Sequence, residues 1–355
     1  DPRTVGLRKL NCAAPMKKTV AGRRRKLKTP PLLFEKTQRL LQKLGERVEG
    51  TLLTYWTSTS GSVCDNDVMA LHEMLRTIGP QETITLFVKS DGGSGMASLR
   101  MVHLLRSACR RLVVLAPLNC ASAATMFALG ADEIGMGPLS YLTAVDTSLE
   151  HELSPVDHTN NLVAVSNDEV DRVIRLWRDA THAEGRAVTP YQELYKYLHP
   201  LVIGALDRAS SLSLKLCKEI LSYHLKDPKR AERIARELNS SYPAHQYPIT
   251  AREAKRLGLP VVTLSQDTDR LLQELNLLYS EMGQRAITDY DSDNHHDNEI
   301  TNILECRSRQ IFYQVEKDWH YRKEERRFVP LNDLSAWYVC EKRAGRLSKS
   351  RFHIR

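Results

Sequence analysis

No apolar run in this chain approaches the roughly 20 residues that a membrane-crossing helix needs. Its longest apolar stretches, such as 112–117, are strand-sized. Cysteine is sparse as well: seven in 355 residues, widely spaced and with no CxxC pair. An odd number without paired spacing argues against a disulfide framework or a zinc site and for a reducing compartment. Gly92-Gly93-Ser94-Gly95 is glycine-rich, yet it lacks both the lysine of a phosphate-binding loop and the spacing of a dinucleotide-binding turn. Neither cofactor nor metal is therefore expected. His295-His296 stands among Asp291, Asp293 and Asp297 without ligand spacing and reads as solvated linker.

Acid is missing between Arg3 and Lys28, where ten Lys and Arg residues fall, including Arg23-Arg24-Arg25-Lys26. The formal net charge of +8 is thus mostly an end effect. The favoured reading of 1–31 is a basic, disordered, solvated arm. Contact with an acidic partner or nucleic acid is the other reading. Met16 reads as a translation start followed by charge rather than by the apolar segment of a secretory signal. A cytoplasmic location is expected, with an organellar matrix left open because transit peptides are also basic and acid-poor.

What is present is a repeated strand–helix pattern. Strands are expected at 52–57, 83–88, 112–116 and 133–136, and helices at 65–78 and 95–109. Such alternation implies right-handed crossovers, a mostly parallel sheet, and ligands at the carboxyl ends of the strands. A helical region follows. A capping box opens 166–184, a bend is expected at His199-Pro200 within 191–225, and a second box begins at Thr250. The amphipathic segment 267–282 closes this region. Beyond it, 285–299 reads as a polar linker and 300–355 as a weakly patterned appendage of unknown function.

Two corners lie at strand ends. One is Ser90-Asp91-Gly92-Gly93; the other is Leu118-Asn119-Cys120-Ala121-Ser122-Ala123-Ala124-Thr125, opening a helix expected over 123–131. A serine at a strand-to-helix turn meets substrate with N–H donors beside it. Ser122 is the candidate nucleophile, with Gly93 and Ala123 N–H as candidate oxyanion donors and Gly92 allowing close backbone approach. The plain alternative for Ser122 is a small helix-start residue or N-cap. Cys120 reads as a small buried filler.

With these residues in order, the chain resembles the serine dehydrogenase proteinase family of the Clp-peptidase/crotonase superfamily, relatives of signal peptide peptidase A. The matching pieces are Ser90-Asp91-Gly92-Gly93, then Ala121 to Thr125 running on through Ala128-Leu129-Gly130-Ala131-Asp132-Glu133-Ile134. Met136-Gly137-Pro138-Leu139-Ser140 with Asp146 follows. Weaker echoes are Leu198-His199-Pro200-Leu201 and the stretch from His245 to Leu259. The resemblance spans roughly 35–280 and implies a Clp/crotonase-like α/β fold over 32–284, assembly into a homo-oligomer, and an ATP-independent serine peptidase acting on peptides or proteins.

The base is the departure. Clp peptidases carry a histidine on the strand after the nucleophile, and 139–146 has none. Where the family tends to read Leu-Gly-Pro-Ile-Asp-Pro, this chain reads Leu142-Thr143-Ala144-Val145-Asp146-Thr147. His245 is the preferred base candidate, with Asp146 placed to orient it. Lys196, by analogy with the lysine of signal peptide peptidase A relatives, and His199 stay open, His199 reading more readily as a core histidine. The alternative function is a catalytically inactive oligomeric scaffold of the same fold that binds protein partners. A nucleic-acid binder is a more distant third.

Overall fold

The computed structural model describes residues 26–146, 148–158, 161–184, 190–343 and 346–354. The basic arm as far as residue 25 lies outside the described residues. The chain opens α1 (Phe34–Gly45), β1 (Thr51–Thr57), α2 (Asp65–Ile78), β2 (Gln81–Lys89), α3 (Gly95–Ala108) and β3 (Cys109–Ala116). The second corner follows, with β4 (Asn119–Cys120), a 3-10 turn Ser122–Ala124, α4 (Thr125–Leu129), β5 (Glu133–Met136) and β6 (Tyr141–Leu142). The helical region holds β7 (Ser148–Leu149), β8 (Val165–Ser166), α5 (Asn167–Glu184), α6 (Pro190–Leu194), α7 (Pro200–Leu221), α8 (Pro228–Ser240) and α9 (Ala251–Leu257). Then come β9 (Val261–Thr263), α10 (Gln266–Met282), β10 (Ala286–Asp289), β11 (Asn294–Cys306), β12 (Arg309–Arg322), β13 (Arg327–Asp333), β14 (Ala336–Arg343) and β15 (Arg346–Phe352).

The spine of the main sheet runs β15-β14-β12-β11-β1-β2-β3-β5-β9. From β1 to β9 every pairing is parallel. Alternate residues on these strands enter two cores, which is why the strands read as continuous apolar runs. Leu53, Tyr55, Leu86, Val88, Leu112 and Val114 pack under α2, α3, α4, α7 and α8. Trp56, Phe87, Val113 and Leu115 face α1 and α10. Helix boundaries follow local chemistry: the Ser94 hydroxyl accepts from Ala97 N–H at 3.2 Å to open α3, and Asp227 caps α8 ahead of Pro228. The bend expected at His199-Pro200 is realised as the break between α6 and α7.

The last third departs from its sequence reading. The stretch expected as linker, 285–299, forms β10 and the first half of β11, and the expected appendage completes an antiparallel meander on the edge of β1. The sheet is therefore parallel over residues 51–263 and antiparallel beyond. Polarity hid these strands because their polar side chains pair with one another inside the fold. Arg285 donates to both oxygens of Asp297 at 2.8 and 2.6 Å. His296 Nδ1 lies 2.9 Å from Asp318, and Gln314 donates to Asn298 at 2.7 Å. His296 and Asp297 are buried, so the solvated reading fails for these two, while Asp291 is exposed as expected.

Glu305 is the centre of this seam. Its buried carboxylate accepts from Thr37 and Gln38 at 2.7 Å and from Tyr279 and Gln310 at 2.8 Å. Burial outweighs these donors and pushes its carboxyl up to about 6. Replacing it removes the acceptor that four donors share and opens a void between α1, α10 and β11. Glu305→Ala is expected to cost about 3 kcal/mol. The check is a lower urea midpoint with an unchanged denaturant slope.

Candidate functional site

The two corners are stitched together by backbone. Ser90 N–H donates to Asn119 O and Ala121 N–H to Ser90 O, both at 3.0 Å. At the second corner Ser122 adopts φ +51°, the left-handed region that a side-chain-bearing residue enters only when its surroundings impose it. The 3-10 turn begins at Ser122 and gives way to α4 at Thr125, so the helix is shorter than expected. Ala121 occupies the cap position, so Ser122 is the first residue of the turn, as the helix-start alternative has it, and not its N-cap. Ser122 N–H donates to Thr143 Oγ1 at 2.7 Å. Thr143 is tied in turn to Thr125, whose hydroxyl donates to Thr143 O at 3.2 Å and to Cys120 O at 2.8 Å.

At the first corner Gly92 has φ +111° and Gly93 φ +140°. A Cβ on Gly92 would stand 2.6 Å from Ser122 Cβ, so the two corners touch through the absence of a side chain. Val63 braces the turn from behind: its N–H donates to Gly92 O and its carbonyl accepts from Ser94 N–H, both at 2.8 Å. Among the described residues, neither Gly93 N–H nor Ala123 N–H has a protein acceptor.

His245 arrives from the loop between α8 and α9. Its Nδ1 lies 2.5 Å from Asp146 Oδ1, although the two are 99 positions apart in sequence. Strap bonds bring them together. Leu142 and Ile249 exchange backbone hydrogen bonds at 3.0 and 2.8 Å, and Val145 N–H reaches Leu238 O at 2.9 Å. The hydrogen bond that the ring donates to Asp146 holds the imidazole pKa above its ordinary 6.5, against the opposing effect of burial. With Nδ1 engaged, Nε2 is the ring nitrogen left for other chemistry.

Ser122, Gly93, Ala123, Asp146 and His245 line one cavity of about 440 Å³, whose apolar wall includes Met126 and Leu216. Ser122 Oγ and the imidazole share this cavity without being hydrogen-bonded to each other. The other base candidates lie elsewhere. Exposed Lys196 is held by Glu193 at 2.7 Å. His199 is exposed rather than in the core, and its Nδ1 accepts from Leu201 N–H at 3.2 Å to cap α7. Cys120 is fully buried, and burial pushes its thiol up to about 12. No group of three or more His, Cys, Asp or Glu residues that could hold a metal lies among the described residues.

Two features carried no sequence signal. Thr143 sits in the segment that departs from the family pattern, and its contact with Ser122 N–H depends on a strap closed by Ile249. A second cavity of about 550 Å³, lined by Asp91, Tyr141, Thr143, His245 and Gln246, shares Asp91 and His245 with the first.

No protein-family model matches the chain, and no curated protein matches it. Among solved structures, a mutant of the 1510-N membrane-bound stomatin-specific protease is 14% identical, matching 66% of this chain and 87% of that one with a TM-score of 0.37. Another mutant of that protease, in complex with a substrate peptide, is 14% identical over 66% of this chain and 83% of its own, with a TM-score of 0.37. ClpP1 from Listeria monocytogenes is 12% identical over 67% of this chain and 99% of its own, with a TM-score of 0.34. Among the described residues no helix is long and apolar enough to cross a membrane.

Proposed function

We propose that this chain is a nucleotide-independent serine hydrolase that cleaves peptide bonds. One observation carries the reading: Ser122, held at φ +51° against Gly92, shares a cavity with an imidazole already hydrogen-bonded to a carboxylate. In this reading substrate binding brings Ser122 Oγ and His245 Nε2 together, as hydrogen bonds that are long in an empty site tighten in the complex. Oγ attacks the carbonyl carbon and Nε2 takes its proton. Asp146 keeps the ring in the tautomer with its proton on Nδ1 and stabilises the imidazolium. Negative charge on the carbonyl oxygen falls to Gly93 N–H and Ala123 N–H, each such donor supplying about 3 kcal/mol. The imidazolium returns its proton to the departing amine, and water then hydrolyses the Ser122 ester by the same route.

The test is a fluorophosphonate probe, which reacts with an activated serine and forms a phosphonyl ester on Oγ. The native chain is expected to take up one equivalent at Ser122, located by peptide mass, and heat-unfolded protein none. Labelling of Ser122→Ala equal to that of the native chain overturns the proposal and favours the inactive scaffold, which assembles and binds partners whatever stands at position 122.

A further inference from the structure

Asp91 belongs to the first corner by sequence, but the reaction proposed above gives it no task. It is exposed, and it lies on the wall shared by the two cavities. Asn119 Nδ2 donates to its Oδ1 at 2.5 Å, which fixes the carboxylate without neutralising it. Among the described residues no Lys, Arg or His lies within ion-pair distance of Asp91. Lys89 is the nearest basic residue in sequence and feels the Asp91 carboxylate through space, but it forms no ion pair with it: its Nζ donates to Thr57 O at 2.9 Å and rests 5.1 Å from the Trp56 ring centroid. Tyr141, across the second cavity, feels the carboxylate: burial first and Asp91 second hold its phenol above the ordinary value.

The charge balance of the two cavities runs against that of the chain. The protein carries a formal +8, yet neither cavity is lined by a single Lys or Arg. Their ionisable lining is Asp91, Asp146, Tyr141 and His245. Asp146 is engaged by His245, which leaves Asp91 as the lining carboxylate outside any ion pair among the described residues. A concave site with one unpaired carboxylate recognises a cation, because the low-dielectric walls focus its field on whatever enters.

We infer that Asp91 is the specificity-determining residue of this site and selects peptides that carry a Lys or Arg side chain close to the bond at Ser122. This rests on the hydrolase reading for its meaning but not for its test. The ammonium or guanidinium enters the second cavity beside Tyr141 and Gln246, while the peptide carbonyl lies against Ser122 and the Gly93 corner. An ion pair with a carboxylate fixed on a cavity wall discriminates by about tenfold against a neutral isostere, and by more against an acid.

The experiment uses binding, so that it does not depend on turnover. Fluorescent peptide pools with Lys, norleucine or Glu at the positions on either side of a central bond are titrated against Ser122→Ala protein by anisotropy. The same pools are titrated against Ser122→Ala carrying Asp91→Asn. Asparagine keeps the carbonyl that accepts from Asn119, so the corner retains its bond. The expected result is that the Lys pool binds about tenfold tighter than the norleucine pool, that the Glu pool binds weakest, and that Asp91→Asn abolishes the Lys preference. Equal binding of the three pools, or a Lys preference that survives Asp91→Asn, overturns the inference. Failure of the hydrolase reading shows separately, as a native chain that takes no fluorophosphonate while the binding pattern stands.

Discussion

In the proposed reaction, His245→Ala is expected to lower kcat/KM by roughly 10²–10⁴, because a serine hydroxyl without a base is a poor nucleophile at neutral pH. Asp146→Asn is expected to fall in the same range, and its pH profile separates positioning from general damage. His245 must be neutral to accept a proton, and its hydrogen bond to Asp146 holds the imidazole pKa above 6.5. The native rate should therefore rise with pH through a midpoint above 6.5 and then level. Removing the carboxylate removes the main cause of that shift, so in Asp146→Asn the midpoint moves down toward 6.5 while the plateau drops. The stability of the pair runs the opposite way. Its contribution is fully present below about 6.5, where the unfolded histidine is also charged, and is lost as pH rises through the folded value. Activity thus appears over the window in which the charged pair is being given up. A rate profile for Asp146→Asn that keeps the native midpoint sinks the assignment of Asp146 as the residue that sets the base. A His245→Ala protein that turns over at the native rate sinks the base itself.

How much of this was legible in the sequence depends on the range of each interaction. The strands from 51 to 136 and the helices between them were readable because period and punctuation are local: apolar runs, an acidic helix start at Asp65, the glycine corner at Gly92-Gly93. The 3-10 start at Ser122 was not, because its left-handed backbone is imposed by Gly92 and by the hydroxyl of Thr143, neither adjacent in sequence. The C-terminal strands were missed for a related reason. Asp297, His296 and Asn298 look like solvent-facing residues until Arg285, Asp318 and Gln314 are placed beside them. Buried polar residues carry a strand signal only through their partners, and a partner on another strand is invisible to periodicity. His245 and Asp146 were nameable through the resemblance alone. What brings them to 2.5 Å is the strap between Leu142 and Ile249, and that is a tertiary fact.

Gly92→Ala is expected to lower labelling of Ser122 by about 10³ while leaving most of the fold intact, and the argument is geometric. At φ +111° an L-residue is strained, at a cost of order 1–3 kcal/mol. The added methyl also has nowhere to go: it would stand 2.6 Å from Ser122 Cβ, 2.9 Å from Ala121 O and 3.1 Å from Ala123 N. Relief requires the two corners to separate, and the bonds from Val63 to Gly92 O and Ser94 N–H resist movement of the first corner. The second corner is the one that yields. Ser122 and Ala123 N–H shift together, so the proposed nucleophile and oxyanion donor are displaced in a single step. A displacement near 1 Å is enough for a loss of order 10² from misorientation alone. The oxyanion donor, displaced rather than removed, contributes roughly a further tenfold, and together they bring the expected loss to about 10³. The unfolding midpoint should drop by the backbone strain and by the cost of shifting Cys120 and Ala124, which belong to the core under α2–α4. Gly93→Ala provides the comparison. Its Cβ would meet Val63 O at 2.5 Å rather than the serine, so it should cost stability more evenly with activity. Native labelling in folded Gly92→Ala would mean that the contact between the corners is packing and that the position of Ser122 is set elsewhere.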